Sequence, residues 1–393
     1  MSQALSRLGD NFSEVALALF VLALTKNNVA ALGVVLAMVY LPRVALGWLV
    51  AGIIDRLPPR AVLLAGDVAR AALVLSVPGV RSYPWTVAAV FLMYGITMVY
   101  QPLVRALQPE IAASPEVNQK SAARQHSYYA IADLGAYLAA AGVLALWGVA
   151  PAFAIDAATY LGAAALIQTL RVNPTIWTAP KAGESRFWED IREGYRYVKA
   201  ASPQRMVILL SSAAALGVAA LNTLLAPLSR AIWHVSSAHY VWLLLSIASG
   251  SLASSIVIER WRVMEHYPFH LLLGTGFFLT GLGFGTVLIL PHWWLGAVSL
   301  MFAGAGNALY GTALIAWMQQ RTPFAVRARI LSIRGMGMGV GGAVGALAAG
   351  WLAGGVGLGP TVAAVAVLWS AIAAWAIASH SLLTSGDAAA AAL

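Results

Sequence analysis

The sequence predicts an all-α membrane protein with twelve transmembrane helices in two six-helix bundles. Of its 393 residues, 60% are hydrophobic and only 10% are charged, whereas a soluble domain carries roughly 25% charged residues. Apolar windows of about 20 residues, long enough to cross a bilayer, recur along nearly the whole chain. One long polar stretch, residues 171–205, divides these windows into six and six.

Breaks between the apolar windows place the twelve spans along the chain. The first six are expected at residues 8–25, 31–54, 61–80, 85–105, 124–147 and 150–169. The second six are expected at residues 205–228, 237–258, 269–290, 294–318, 328–353 and 359–382. These spans predict an N-terminal bundle over residues 1–170, a linker over 171–204 and a C-terminal bundle over 205–393.

The linker contains a predicted amphipathic helix between Arg186 and Lys199. One stripe of this helix is apolar and the opposite face is charged, as in helices that lie on a membrane surface. We expect it to tether the two bundles along the inner leaflet, or else to bind a regulatory partner. The apolar stripe consists of Trp188, Ile191, Tyr195 and Val198.

Basic residues predict the orientation of the chain. Of the 24 Lys and Arg residues, Lys26, Arg81 and Arg230 fall in one set of loops, and Arg43 and Arg70 fall inside spans. All the others are assigned to the opposite side. Because cytoplasmic loops carry the excess of Lys and Arg, both termini are expected in the cytoplasm. The same bias explains the net charge of +9 without a nucleic-acid partner.

The two predicted bundles resemble each other in sequence, which favours an internal repeat. Ile54-Asp55-Arg56 at the end of the second span has a counterpart in Ile258-Glu259-Arg260 at the end of the eighth. Parallel repeats related by an axis along the membrane normal occur in transporters. Two further pairs of matching positions lie just after the fifth and eleventh spans. Gly148 corresponds to Gly357, and Pro151 corresponds to Pro360.

The charged hinge between the second and third spans resembles the signature loop of the major facilitator superfamily. That loop is written Gly-x-x-x-Asp-Arg-x-Gly-Arg-Arg, and the corresponding residues here are Gly52, Asp55, Arg56 and Arg60. Gly52 is one residue closer to the acid than in that pattern, and Pro58-Pro59 replaces the usual Gly-Arg. The resemblance implies the major facilitator fold and secondary active transport by alternating access. It also implies that the chain is not an enzyme.

Further stretches resemble the branch of that superfamily that contains macrolide-efflux and enterobactin-exporter proteins. This resemblance implies proton-coupled efflux of amphiphilic, drug-like or siderophore-like compounds across a bacterial inner membrane. A lysophospholipid or another lipid-like substrate is the alternative within transport, and an intramembrane lipid-modifying enzyme is the alternative from another class. The matching stretches are Leu8–Asp10, Leu41–Arg43, Phe153–Asp156, Arg192–Tyr195 and Arg327–Ile330.

Charged residues inside spans are candidates for coupling, because they usually face a bundle interior or a water path. Asp10 and Glu14 share one face of the first helix, so a protonation switch between two carboxylates is one interpretation. The other is that Asp10 is solvated at the interface or caps its helix. Arg43 and Asp133 lie at comparable depths and are expected to pair, as a structural bridge or a proton-sensitive lock.

The remaining deep charges are expected to be structural. Asp67 and Arg70 are one helical turn apart and should satisfy each other or the nearby hinge. Asp156 is expected near the outer end of its helix. All these deep charges belong to the first half, and the second half is expected to contain essentially none.

The hinge is also a predicted gating loop. Asp55 is expected to meet the N-terminus of span eleven near Arg327 and Arg329, where the helix dipole favours a carboxylate. Arg56 and Arg60 would anchor the loop at the lipid headgroups. A simple anchoring role would explain the arginines of the loop but not its acid.

The spans that line the cavity in the resembled fold supply candidate substrate contacts. A wide apolar cavity with a few aromatic and amide groups suits amphiphilic substrates, although such groups also serve helix packing. The candidates are Tyr94, Met98, Gln101, Asn222, Asn307 and Tyr310.

Missing motifs limit the chemistry further. The sequence has no phosphate-binding Gly-x-x-x-x-Gly-Lys-Ser/Thr loop, no cysteine and no metal-binding histidine motif. We therefore expect no cofactor and no metal, and transport driven by protons or another ion. The expected form is a monomer in the lipid bilayer, because the glycines of span eleven favour packing within the chain over a dimer interface.

Overall fold

The structure is a computed structural model that describes residues 2–46, 58–111, 134–169, 192, 196, 198–199, 202–234, 237–322 and 324–381. Within these ranges the chain is helical, with no β-strand. Nine of the described helices are long and apolar enough to cross a membrane by length and composition, and two shorter ones are also apolar. The predicted all-α membrane fold is therefore confirmed.

Six long helices lie in the first half of the chain, and each matches a predicted span. The second predicted span is described only as far as Leu46, and the fifth only from Leu134. The helices are α1 (Ser2–Leu24), α2 (Val29–Ala45), α3 (Pro59–Val80), α4 (Tyr83–Ile111), α5 (Leu134–Trp147) and α6 (Ala150–Thr169).

Six more long helices follow in the second half. A four-residue helix, Val263–His266, connects α8 to α9, and a 3-10 turn, Thr286–Leu288, extends α9. The long helices are α7 (Ser202–Trp233), α8 (Ser237–Arg260), α9 (Phe269–Gly285), α10 (Trp293–Arg321), α11 (Phe324–Val356) and α12 (Leu358–Ala378).

The internal repeat predicted from the sequence has a backbone counterpart at two glycines. Gly148 has φ 79° between α5 and α6, and Gly357 has φ 94° between α11 and α12. Glycine adopts positive φ without the steric cost that other residues incur, so both positions allow a tight connection. Pro151 and Pro360 then lie in the first turns of α6 and α12, where proline is tolerated.

The described helices form two compact units. The first contains α1, α3, α4, α5, α6 and the end of α2 from Leu41, and the second contains α7 to α12 with residues Asn28–Tyr40. Much of residues 171–204, the predicted linker, lies outside the described ranges, including most of its amphipathic helix. The predicted domain boundaries therefore stay a prediction.

Glycines bring α11 close to α7 in the second unit. A Cβ atom on Gly341 would lie 2.1 Å from the carbonyl oxygen of Ser212, and one on Gly345 would lie 2.1 Å from that of Leu216. Only glycine permits such an approach, which lets the two helices gain dispersion contacts along their length. The predicted packing of these glycines within the chain is confirmed.

Aromatic rings fill the centre of the second unit. The ring centroids of Phe277 and Tyr310 are 4.4 Å apart, and Trp369 lies 5.6 Å from Tyr310 and 5.8 Å from Phe277. Trp369 is completely buried and packs against Gly217 and Gly281. This cluster joins α7, α9, α10 and α12 into one core.

Candidate functional site

The first unit contains a buried ion pair between α3 residues Asp67 and Arg70, which are 0% and 2% exposed. The Arg70 guanidinium donates to Asp67 Oδ1. Their spacing of three residues places them on one face of the helix, so the predicted pairing is confirmed. Burial of an ion pair is costly unless further hydrogen bonds satisfy it, and the neighbouring helices supply part of what it needs.

Two tyrosines contact the guanidinium of Arg70, whose Nε atom is buried without a hydrogen-bond partner. Its Cζ atom lies 4.2 Å from the ring centroid of Tyr100 on α4 and 4.4 Å from that of Tyr160 on α6. The Tyr100 hydroxyl donates to Asp67 Oδ2 at 3.2 Å, and the Tyr160 hydroxyl donates to Asp10 Oδ1. Each ring therefore contacts the cation through its face and donates to a carboxylate through its hydroxyl.

Asp156 extends this group into α6 and is 0% exposed. The Ser13 hydroxyl of α1 donates to Asp156 Oδ2, whereas Asp156 Oδ1 is buried with no hydrogen-bond partner. Buried polar atoms are almost always satisfied, and this oxygen is one of four exceptions among the described residues, with Arg70 Nε, Thr322 Oγ1 and Trp369 Nε1.

A glycine on α1 makes the contact with α6 possible. A Cβ atom on Gly9 would lie 1.9 Å from Thr159 Oγ1 and 2.5 Å from Asp156 Oδ1. The absence of a side chain at Gly9 thus lets Asp10 and Ser13 reach α6. The resemblance stretches Leu8–Asp10 and Phe153–Asp156, which are distant in sequence, are in contact here.

We call Asp10, Asp67, Arg70 and Asp156, with Ser13, Tyr100 and Tyr160, the acidic cluster. Asp10 lies within electrostatic range of Asp67, Arg70 and Asp156. If all four ionisable groups of Asp and Arg were charged, three negative charges would surround one positive charge. Excess charge is strongly unfavourable in a low-dielectric interior, so the cluster is suited to holding one additional positive charge.

The structure brings only part of the predicted coupling set together. Asp10 belongs to the acidic cluster, whereas Glu14 is exposed and makes other interactions. Asp133 lies outside the described residues, so its predicted pairing with Arg43, a partly buried residue of α2, stays a prediction. Ser13 and Asp156 were not among the predicted site residues.

The predicted gating loop is described only at its end. Gly52, Asp55 and Arg56 lie outside the described residues. Arg60 donates to the carbonyl oxygen of Gln168 at 2.5 Å, near the C-terminus of α6, where a cation is favoured.

On the other side of the predicted latch, Arg327 donates from Nε and Nη2 to the carbonyl oxygen of Thr322, at 3.2 and 3.0 Å. This bond caps the end of α10. Arg329 is partly buried and has further interactions. The expected contact of Asp55 with Arg327 and Arg329 stays a prediction.

The predicted substrate contacts are dispersed over three helices. Tyr310 is buried and donates its hydroxyl to Asn307 Oδ1 on the same helix. Tyr94, Met98 and Asn222 are partly buried, and the side chain of Gln101 is outside the described part of α4. A role for these residues in binding substrate stays a prediction.

One charge of the second unit lies where none was expected. Arg334 falls inside the apolar part of α11, Arg329–Val356, and its Nε donates to Ser211 Oγ of α7 at 2.8 Å. The expectation that deep charges are confined to the first half is therefore wrong. The position of Arg334, five residues inside that apolar stretch, could have indicated a deep charge. It was instead assigned to a cytoplasmic segment by the positive-inside rule.

Comparison with known proteins gives the family. The model of the transmembrane secretion effector family (MFS_3) matches residues 1–392. A search of curated proteins found no match. Within the described residues, no group of three or more His, Cys, Asp or Glu side chains could hold a metal ion.

Solved structures of transporters share the fold at low sequence identity. The nucleoside transporter NupG has a TM-score of 0.75 and 13% identity, covering 98% of this chain and 96% of that chain. A bacterial homologue of the human lysosomal transporter Spinster has a TM-score of 0.74 and 14% identity, covering 98% and 97%.

A mutant of the peptide transporter POT has a TM-score of 0.76 and 13% identity, covering 98% of this chain and 94% of that chain. These likenesses show the fold alone, whereas the family match extends over almost every residue. The chain has the major facilitator transporter fold and belongs to the transmembrane secretion effector family.

Proposed function

We propose that this protein is a secondary active transporter that exports amphiphilic compounds by alternating access, with proton coupling at the acidic cluster. The observation that carries the coupling is Asp156, a fully buried carboxylate with one unpartnered oxygen close to Gly9 and in electrostatic range of Asp10. A proton there would remove one unit of excess negative charge. Buried carboxylates of this kind serve as proton relays in transporters.

Three further observations support the transport part of the proposal. The family description concerns secretion, and the resemblance to macrolide-efflux and enterobactin-exporter proteins favours efflux of drug-like or siderophore-like compounds. The candidate contacts Asn307 and Tyr310 provide amide and phenol groups in a mainly apolar helix. Few polar groups in an apolar setting suit amphiphilic substrates. A lipid-like substrate remains the alternative.

The test uses the full chain in proteoliposomes with a pH-sensitive dye trapped inside. A macrolide, a catecholate siderophore and a lysophospholipid are added in turn, and internal pH and substrate accumulation are recorded together. At least one compound should move together with protons, and Asp156→Asn should reduce the proton flux by about tenfold or more. Ser13→Ala should have a smaller effect, because it removes only one hydrogen bond.

Two variants make the outcome specific. Glu265→Gln changes an exposed carboxylate that pairs with Arg262 and should leave proton flux unchanged. Glu14→Gln tests the exposed carboxylate of α1. Loss of flux in Glu14→Gln with normal flux in Asp156→Asn would move the coupling site away from the acidic cluster. Transport without any proton movement would refute the coupling, and a chemically altered lipid would favour the intramembrane enzyme.

A further inference from the structure

Arg334 is held deep in the second unit by a residue of another helix. It lies ten residues after Phe324, the start of α11, or about 15 Å along the axis. Its partner Ser211 lies nine residues after Ser202, the start of α7, or about 13 Å along that axis. The guanidinium therefore points across to a residue at a similar depth.

Ser211 orients the guanidinium of Arg334 through its two hydrogen bonds. The serine is 1% exposed, and its hydroxyl donates to the carbonyl oxygen of Val207 at 2.7 Å. Because its proton is used in this way, the Oγ atom faces Arg334 as an acceptor, and it takes the Nε hydrogen at 2.8 Å. The two terminal nitrogens of Arg334 are the groups that form paired bonds with carboxylate or phosphate.

The helices of the second unit provide no carboxylate for Arg334. Between residues 202 and 381 the sequence contains only two acids, Glu259 and Glu265. Both are exposed next to the α8–α9 connection, and Glu265 pairs with Arg262. A guanidinium inside an apolar bundle is costly without an anion.

Simple anchoring of α11 at the membrane surface does not account for this position. Arg321, at the end of α10, and Arg327, in the first turn of α11, already place basic residues at that end of the two helices. An anchoring arginine would extend towards the headgroups, whereas Arg334 is bonded sideways to the buried Ser211. Arg334 also keeps partial exposure, so a ligand can reach it.

We infer that Arg334, oriented by Ser211, binds the carboxylate or phosphate group of an anionic amphiphile. The acidic group would pair with the terminal nitrogens, and an apolar tail suits the apolar walls of α7 and α11. This inference rests on the proposed function, which gives the amphiphilic nature of the ligand. It adds that the ligand is negatively charged. The acid is the transported compound itself or a membrane lipid.

The test measures binding of dansylaminoundecanoic acid and its uncharged methyl ester to the full chain in phosphatidylcholine nanodiscs, with empty nanodiscs subtracted. The wild type should bind the acid about tenfold more tightly than the ester, as one charge-assisted contact provides. Arg334→Gln should abolish this preference while ester binding persists, which also shows that the variant is folded. Arg334→Lys should keep part of the preference, and Ser211→Ala should weaken it.

Arg262→Gln is the matched control, because Arg262 is an exposed arginine of the same unit. Any of three results would overturn the inference. The wild type could bind acid and ester equally well, Arg334→Gln could keep the full preference for the acid, or Arg262→Gln could lose as much of that preference as Arg334→Gln. Binding is measured without a pH gradient, so a failure of proton coupling does not affect this test.

A second arm distinguishes the two sources of the acid. In nanodiscs that contain phosphatidylglycerol, a lipid phosphate that occupies the site would reduce the difference in acid binding between wild type and Arg334→Gln. A difference that persists assigns the site to a transported acid. Either result supports binding of an anionic group at Arg334.

Discussion

An arginine inside an apolar helix has opposite surroundings in the two units. Arg70 in the first unit contacts Asp67 and the rings of Tyr100 and Tyr160, and Asp10 lies within electrostatic range. Arg334 in the second unit has Ser211 and no acid on the surrounding helices. The acidic cluster of the first unit therefore has more carboxylates than cations, whereas Arg334 is a cation with no carboxylate on the helices of its own unit.

This difference corresponds to the two tasks of the proposed function, proton coupling and ligand binding. A site with surplus carboxylates is suited to a proton, and a site with a surplus guanidinium is suited to an acidic ligand. The rest of the second unit is packed through glycines and aromatic rings. That packing provides stability without charge, which agrees with the proposed role of Arg334 in binding an anionic group.

Arg70→Met should give the largest effect on stability. It leaves Asp67 buried without its cation, which costs about 3–5 kcal/mol when a buried pair is broken. Thermal unfolding in detergent should show a large fall in Tm. The double variant Arg70→Met with Asp67→Leu should recover part of it, and an equally unstable double variant would contradict the assignment of Asp67 as the principal partner.

Gly345→Ala should have the next largest effect, because the new Cβ atom would lie 2.1 Å from the Leu216 carbonyl oxygen. The helices α7 and α11 would have to separate, at a cost of about 1–3 kcal/mol. Gly335→Ala in the same helix is the control, since its Cβ atom would meet nothing within 4 Å. Equal Tm values for the two variants would show that close packing does not stabilise the second unit.

Arg334→Met should have the smallest effect, within about 1 kcal/mol of the wild type or stabilising. It removes a cation that has no carboxylate partner on the neighbouring helices, at the loss of one hydrogen bond to Ser211. Thermal unfolding without added ligand gives the comparison with Arg70→Met. A fall in Tm as large as that of Arg70→Met would mean that Arg334 serves folding and would end the contrast between the units.

Local spacing determined which parts of the site could be predicted. Asp67 and Arg70 are three residues apart, so helical geometry alone brings them together. Ser13 and Asp156 are separated by 143 residues, and only the packing of α1 against α6 brings them into contact. Asp156 was therefore expected to be an isolated structural acid, although its sequence stretch Phe153–Asp156 was already part of the resemblance.

Arg334 shows a second limit of prediction. Counting basic residues assigns it to a cytoplasmic segment, because that rule uses position relative to span ends and ignores side-chain direction. The hydrogen bond to Ser211, 123 residues away, reveals that the guanidinium stays inside the helical unit. The sequence could show that no acid was available nearby, but not that the arginine needed one.

The amino-acid sequence by itself determined the membrane-embedded all-α class, the six-plus-six organisation of apolar segments and the repeat marked by Gly148 and Gly357. These features follow from hydrophobicity, helical period and glycine's backbone freedom, which act locally. Only the tertiary structure decided that Asp10, Asp67 and Asp156 surround one arginine while Arg334 meets a serine and no acid on the described helices of its unit. Helix packing determines these contacts, because it brings residues from distant segments to the same depth and onto facing sides of neighbouring helices.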